Sequence, residues 1–233
     1  MKQAHSVEAR VRFLILIPFL TFTISGEAQR KAMSSSDQIV FFGDSITEMG
    51  EQPNGYVTLL RDTLVKQYPG INIIGAGIGG NKVPQLQDRL DRDVLSKKAT
   101  IVVIYIGIND VWHFEKHGTG TPKDKYESGL RDLISRIQKS GARVILCTPS
   151  VIGERRHGDN KFDAMLDEYS GISRRVTKEF GAKICDLRNA FIRYLAEHNP
   201  DNNDEGVLTR DSVHLNNAGN RLVTETILKA LEN

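Results

Sequence analysis

The chain has 233 residues, with 31 Lys and Arg set against 29 Asp and Glu, and it contains no run of basic residues interleaved with aromatics. That balance argues against nucleic-acid binding. Its two cysteines and six histidines are scattered, so no cysteine/histidine metal cluster is expected.

At the N-terminus, Lys2, Arg10 and Arg12 precede an apolar run from Phe13 to Ile24, interrupted by Pro18 and followed by Gly26-Glu27-Ala28. A basic leader, an apolar stretch and small residues at the cut form the three-part secretory signal. A run of twelve residues falls short of the ~20 that span a bilayer, so no permanent membrane span is expected. No cysteine lies near the cut to carry a lipid. The chain is expected to be secreted or periplasmic once residues 1–28 are removed. Residues 29–37 are small and polar and read as a flexible lead-in. Residues 38–233 read as one domain. The 205 residues after the leader hold 28 basic and 27 acidic side chains, enough length for one α/β core and too little for two large ones.

Beyond the lead-in, apolar runs of strand length alternate with stretches of helical period. Strands are predicted at 38–43, 71–76, 100–107, 142–148 and 182–186. They are continuously apolar, as in a parallel sheet covered on both faces. In 123–139, Tyr126, Leu130, Leu133, Ile134 and Ile137 share one helical face, and Ser140-Gly141 offers a stop. In 162–180, Phe162, Leu166, Tyr169, Val176 and Phe180 do the same. The last helix carries Ala218, Leu222, Thr226, Ile227 and Ala230, with Asn216 or Asn217 as its cap. This rhythm predicts an α/β fold: one doubly wound sheet of five parallel strands in the flavodoxin-like order 2-1-3-4-5, flanked by helices. Cys147 and Cys185 both fall in strand interiors and are expected to be buried, unpaired thiols. Residues 198–206, rich in Asn, Asp and Gly, form the most loop-like interior stretch.

Four segments at strand ends carry the chemistry. Gly43-Asp44-Ser45-Ile46-Thr47 follows the first strand, at the sheet edge where open α/β folds place ligands. Asp44 and Ser45 could equally be helix-capping residues. Gly75-Ala76-Gly77-Ile78-Gly79-Gly80 follows the second strand and has the G-x-G-x-x-G spacing of a dinucleotide turn. That motif requires an acid at the end of the next strand, whereas Asp91 and Asp93 lie in a helical pattern before it. An oxyanion-binding turn is the better reading. Gly107-Ile108-Asn109-Asp110 follows the third strand, with Asp110 placed to cap and Asn109 left free to donate. Asp211 and His214, three residues apart, can form a carboxylate–imidazole pair that activates a serine. Among the other histidines, His113 alone competes as the base.

Taken together and in order, these blocks resemble the SGNH, or GDSL, hydrolase family: Gly-Asp-Ser, a glycine block, Gly-x-Asn-Asp and Asp-x-x-His. The resemblance spans residue 38 to the C-terminus. It implies a nucleophile at Ser45, a base at His214 and an orienting acid at Asp211. It also implies an oxyanion hole from the Ser45 and Gly80 amides and the Asn109 side chain. Many members have an asparagine where this chain has Gly75, which leaves the support of the glycine block, and the choice between the Gly79 and Gly80 amides, open. The chemistry calls for no cofactor or metal. Asp44 and Trp112 are candidate substrate contacts, Trp112 as a sugar-stacking face or else as cover for the sheet edge. The expected activity is a secreted short-chain esterase, acting on a carbohydrate or small-ester acetate. A lysophospholipase or thioesterase, or a secreted domain that only binds, is the alternative.

Overall fold

Five apolar segments pair side by side in the computed structural model of the protein, which describes Met1 and residues 32–232. The elements in chain order are β1 (Gln38–Gly43), α1 (Ser45–Gly50), α2 (Tyr56–Gln67), β2 (Asn72–Gly77), α3 (Val83–Asp93), β3 (Ile101–Tyr105), α4 (Ile108–His117), α5 (Lys123–Lys139), β4 (Arg143–Cys147), α6 (Asp163–Glu179), β5 (Lys183–Cys185), α7 (Leu187–His198) and α8 (Asn217–Glu232). The sheet is all parallel and its order is β2-β1-β3-β4-β5. The fold and strand order are those expected from the alternation of apolar runs. The expected signal segment, 1–28, lies outside the described residues apart from Met1. Among the described residues no helix is long and apolar enough to cross a membrane.

β1 and β3 are buried along almost their whole length, because helices cover both faces of the sheet. Register matters more to the site than strand length does. Gly43 is paired with Gly77 on one side and with Tyr105 on the other. The chain therefore leaves β1, β2 and β3 at one level, and the segments after them share one rim. Asn216 caps α8, its Oδ1 accepting from the Ala218 and Gly219 N–H groups at 2.9 and 3.0 Å.

Residues 32–37 differ from the expected flexible lead-in. Met33 is buried in the core, and Asp37 accepts from Ser34 N–H at 2.7 Å and from the Thr100 hydroxyl at 2.7 Å. A Ser-x-x-Asp turn and one apolar side chain tie this segment to the edge of the domain. On the opposite side, Cys147 and Cys185 face each other in register across β4 and β5 as free, buried thiols. Both should react with Ellman's reagent only after denaturation. Two fast-reacting thiols in the native protein would contradict this packing.

Candidate active site

Ser45 opens α1, and the residue before it caps that helix: Asp44 Oδ1 accepts from the Ile46 N–H at 2.9 Å. This cap turns the chain at the strand end and leaves Ser45 half-buried on the rim. Ser45 Oγ lies 2.9 Å from His214 Nε2. On the other side of the ring, His214 Nδ1 lies 2.7 Å from Asp211 Oδ2. Asp211 Oδ1 also accepts from the His214 and Val213 N–H groups, at 2.7 and 3.2 Å. The Asp-x-x-His loop is thus closed on its own carboxylate, with Ser212 held at φ +67° in the left-handed region. Burial works to raise the Asp211 carboxyl, but the bonds from the His214 backbone and ring, with the charge of that ring, outweigh it and hold the group below its ordinary value. An ionised acceptor at Nδ1 keeps the ring proton there and leaves Nε2 able to take the hydroxyl proton. A serine 169 positions from the histidine and a carboxylate three positions from it form one hydrogen-bonded chain with its ring.

Backbone and amide donors surround the hydroxyl. A Cβ at position 79 would lie 3.9 Å from the Ser45 Cβ, so the glycine turn passes close by. Its two amides differ: the Gly79 N–H donates to Glu48 Oε2 at 2.8 Å. Gly80, at φ +75° in the region glycine favours, keeps its N–H without a protein acceptor among the described residues, as does Ser45. Asn109 is not free as expected. Its Nδ2 donates to the Asn81 carbonyl at 3.1 Å, and the second amide hydrogen remains for another acceptor. Gly75 adjoins the Glu51 carboxylate, which a Cβ there would meet at 2.0 Å.

Residues 41–222 match the GDSL-like Lipase/Acylhydrolase family model. The chain belongs to that family. It is 31% identical over 222 residues to an acetylxylan esterase of Geobacillus stearothermophilus, across 85% of this chain and 95% of the relative. An isoamyl acetate-hydrolyzing esterase 1 homolog of Rattus norvegicus is 26% identical over 204 residues, across 80% of this chain and 78% of the relative. Among solved structures, the acetyl xylan esterase AlAXEase superposes with a TM-score of 0.81 at 43% identity, over 83% of this chain and 99% of that one. Solved forms of the Geobacillus stearothermophilus enzyme described as catalytic mutants carry alanine in place of one histidine or one serine. With these relatives the chain stands among the carboxylic ester hydrolases.

In this member of the GDSL-like family, charged residues that the sequence motifs do not mark support the rim. Glu154 is fully buried and accepts from the Val207 and Leu208 N–H groups, both at 2.7 Å, and from the Thr209 N–H. Just beyond, Thr209 bridges Leu215 and the Arg210 N–H donates to the His214 carbonyl at 2.9 Å. The loop that presents Asp211 and His214 is therefore anchored at its base by one carboxylate. Arg89 is buried on the apolar face of α3, beside Val83, Leu86 and Leu90. Arg89 carries a signal that could have been read, a charge where the helical apolar pattern demands a core residue, whereas Glu154 stands in an irregular loop and carries none.

Two expectations need correction, and one competing reading falls away. Asp44, a candidate substrate contact, is 1% exposed and lies beneath the turn, where it cannot touch a bound ester. Asp110 does not cap its own helix: its Oδ1 accepts from the Val83 N–H at 3.1 Å and so caps α3, while Gly107 precedes α4. His113, the competing base, is packed 4.8 Å from the His117 ring and makes no bond to Ser45; burial, then the charges of His117, Lys82 and Lys116, lowers its pKa. Trp112 is half-buried against the core with Lys116 Nζ 3.9 Å over its ring, so a cation occupies one of its faces. Among the described residues no group of three or more His, Cys, Asp or Glu side chains is arranged to hold a metal ion.

Two buried acids, Asp44 and Asp110, make stability depend on pH. Burial pushes Asp44 up to about 7, with the charge of Asp110 adding and the Ile46 N–H bond opposing. Burial likewise pushes Asp110 up to about 6. A carboxyl raised in the folded state holds a proton that the unfolded chain has already released. Their contribution to stability is therefore complete below the ordinary carboxylate pKa of about 3.9 and is lost as pH rises toward 7. Asp44→Asn, which cannot ionise, should flatten the fall in Tm between pH 5 and pH 8. Parallel Tm profiles for variant and wild type would show that Asp44 does not carry this dependence.

Proposed function

We propose that this protein is a secreted serine esterase that hydrolyses short-chain carboxylic esters, with acetylated carbohydrates as its substrate class. The observation that carries the reading is the continuous Asp211–His214–Ser45 hydrogen-bonded chain at the sheet rim. In this reading His214 Nε2 takes the Ser45 proton as Oγ attacks the ester carbonyl. The Ser45 and Gly80 amides and the Asn109 Nδ2–H face the developing oxyanion. His214 returns the proton to the departing alcohol, Asp211 holds the ring in the required tautomer, and the acetyl group remains on Ser45. Water, deprotonated by His214, then releases acetate and restores the hydroxyl.

The preference for a small acyl group is supported by the chain's relatives, an acetylxylan esterase and an isoamyl acetate-hydrolyzing esterase homolog, and by the short, glycine-lined turn facing Ser45. Secretion is supported by the three-part leader pattern of residues 1–28. The test is a panel of p-nitrophenyl esters from acetate to dodecanoate, run beside acetylated xylan and a fluorophosphonate probe. The expected result is probe labelling at Ser45, acetate release from xylan, and kcat/KM about tenfold or more lower on octanoate than on acetate. A maximum at long acyl chains would transfer the assignment to lysophospholipase or thioesterase chemistry. Absence of labelling and of turnover would leave a binding domain.

A further inference from the structure

We infer that Arg89 is a positioning residue that holds the proposed oxyanion-stabilising groups in register by bonding to two segments of the rim and reaching a third through Asn81. This inference rests on the esterase reading above.

Arg89 comes from the middle of α3 and is 7% exposed. Its fork reaches in three directions. Nη2 donates to the Gly43 carbonyl at 2.6 Å, two residues before Ser45. Nη1 donates to the Ala76 carbonyl at 2.9 Å, at the end of β2 where the glycine turn begins. Nε donates to Asn81 Oδ1 at 2.8 Å, immediately after Gly80. Asn81 in turn accepts, through its main-chain oxygen, from Asn109 Nδ2. One planar group therefore touches the segments that carry Ser45 and Gly80 directly, and reaches the segment that carries Asn109 through one intermediate.

The charge itself is answered separately. Nη1 also donates to Asp93 Oδ2 at 2.8 Å, one helical turn along α3, and the guanidinium carbon lies 4.5 Å from the Phe42 ring centroid. A buried cation retained for stability alone would be satisfied by such a pair and such a ring. The remaining donors go to two strand-end carbonyls and a turn side chain. The Gly43 carbonyl also accepts from the Ile78 N–H at 3.2 Å, where β1 meets the glycine turn, so the guanidinium is a second donor on that oxygen and fixes where the chain turns. An oxyanion hole depends on that geometry, since donors must meet an oxygen that exists only in the transition state. Lysine cannot substitute: an ammonium is a single point donor, whereas these acceptors lie at the corners of a fork.

The test is Arg89→Lys together with Asn81→Ala, which removes only the Nε acceptor and leaves the main-chain oxygen that Asn109 uses. With p-nitrophenyl acetate, Arg89→Lys should lower kcat about 10- to 100-fold, below the roughly 100- to 1000-fold loss seen when an oxyanion donor is itself removed, with KM within about threefold of wild type. Inhibition by a boronic acid, whose adduct on Ser45 places an anionic oxygen in the hole, should weaken in the same proportion. Asn81→Ala should lower kcat at least about fivefold, and the double variant should be no worse than Arg89→Lys by more than about threefold, as expected for groups acting in one network. A folded Arg89→Lys with kcat within twofold of wild type, a loss appearing in KM, or multiplicative effects of the two substitutions would overturn the inference. If Arg89→Lys does not fold, Asn81→Ala decides alone: an unchanged kcat in that folded variant rejects the role. Ser45→Ala, measured in the same series, separates the two levels, since full activity there would reject the esterase reading and not the role of Arg89.

Discussion

Ser45→Ala is expected to lower kcat for p-nitrophenyl acetate by about 10⁴-fold or more, the scale on which serine hydrolases lose rate when the nucleophile is removed. No other group on the rim can take its place, because the ring of His214 is already committed between Ser45 Oγ and Asp211 Oδ2. The fold should be indifferent to the change. Ser45 is half-buried and its hydroxyl makes a single side-chain bond, worth about 1 kcal/mol net, so Tm should move by no more than about 4 °C. The variant should also lose fluorophosphonate labelling. Retention of more than a tenth of wild-type turnover, in protein purified beside wild type, would remove Ser45 from the mechanism.

The second large effect is expected from Asp211→Asn: a fall in kcat of about 10³- to 10⁴-fold with KM changed less than about threefold. The asparagine oxygen can still accept from the His214 and Val213 N–H groups that Asp211 Oδ1 now holds, so the loop keeps its shape. The amide nitrogen then faces His214 Nδ1 and drives the ring proton to Nε2, which points an N–H at the serine instead of a lone pair. Since the wild-type carboxyl is held below its ordinary value, it stays ionised through the mildly acidic range. Loss of wild-type activity between pH 5 and 6 therefore cannot come from protonation of Asp211. An Asn variant with a third or more of the wild-type kcat, or one that is inactive only because it unfolds, would defeat this assignment.

Some of this site was legible along the chain and some was not, for identifiable reasons. Ser45, Asn109, Asp211 and His214 stand at strand ends or on a turn-rich loop, where an apolar run stops and a polar side chain must point outward. The proposed choice of Gly80 over Gly79 rests on Glu48, a residue 31 positions from Gly79 whose carboxylate takes that amide. Asp44 looked like a surface group because capping residues usually are, yet the chain turns over it and buries it. Residues 32–37 looked loose because they are small and polar, yet Asp37 and Met33 hold them to the domain.

From its order of residues alone the chain determines a five-stranded parallel sheet: continuous apolar runs, each followed by a helical stripe, can bury both sheet faces in only a few ways, and right-handed crossovers select among them. The same order places the reactive side chains at the ends of strands. Only the tertiary structure decides that they meet. A 2.9 Å contact between positions 45 and 214 depends on the shared register of β1, β2 and β3 and on buried charges such as Arg89 and Glu154, and these act through hydrogen bonds whose partners lie up to 55 residues away along the chain. Hydrophobic periodicity is a local quantity and can be read from neighbours, whereas the direction of a hydrogen bond exists only once the backbone has been placed.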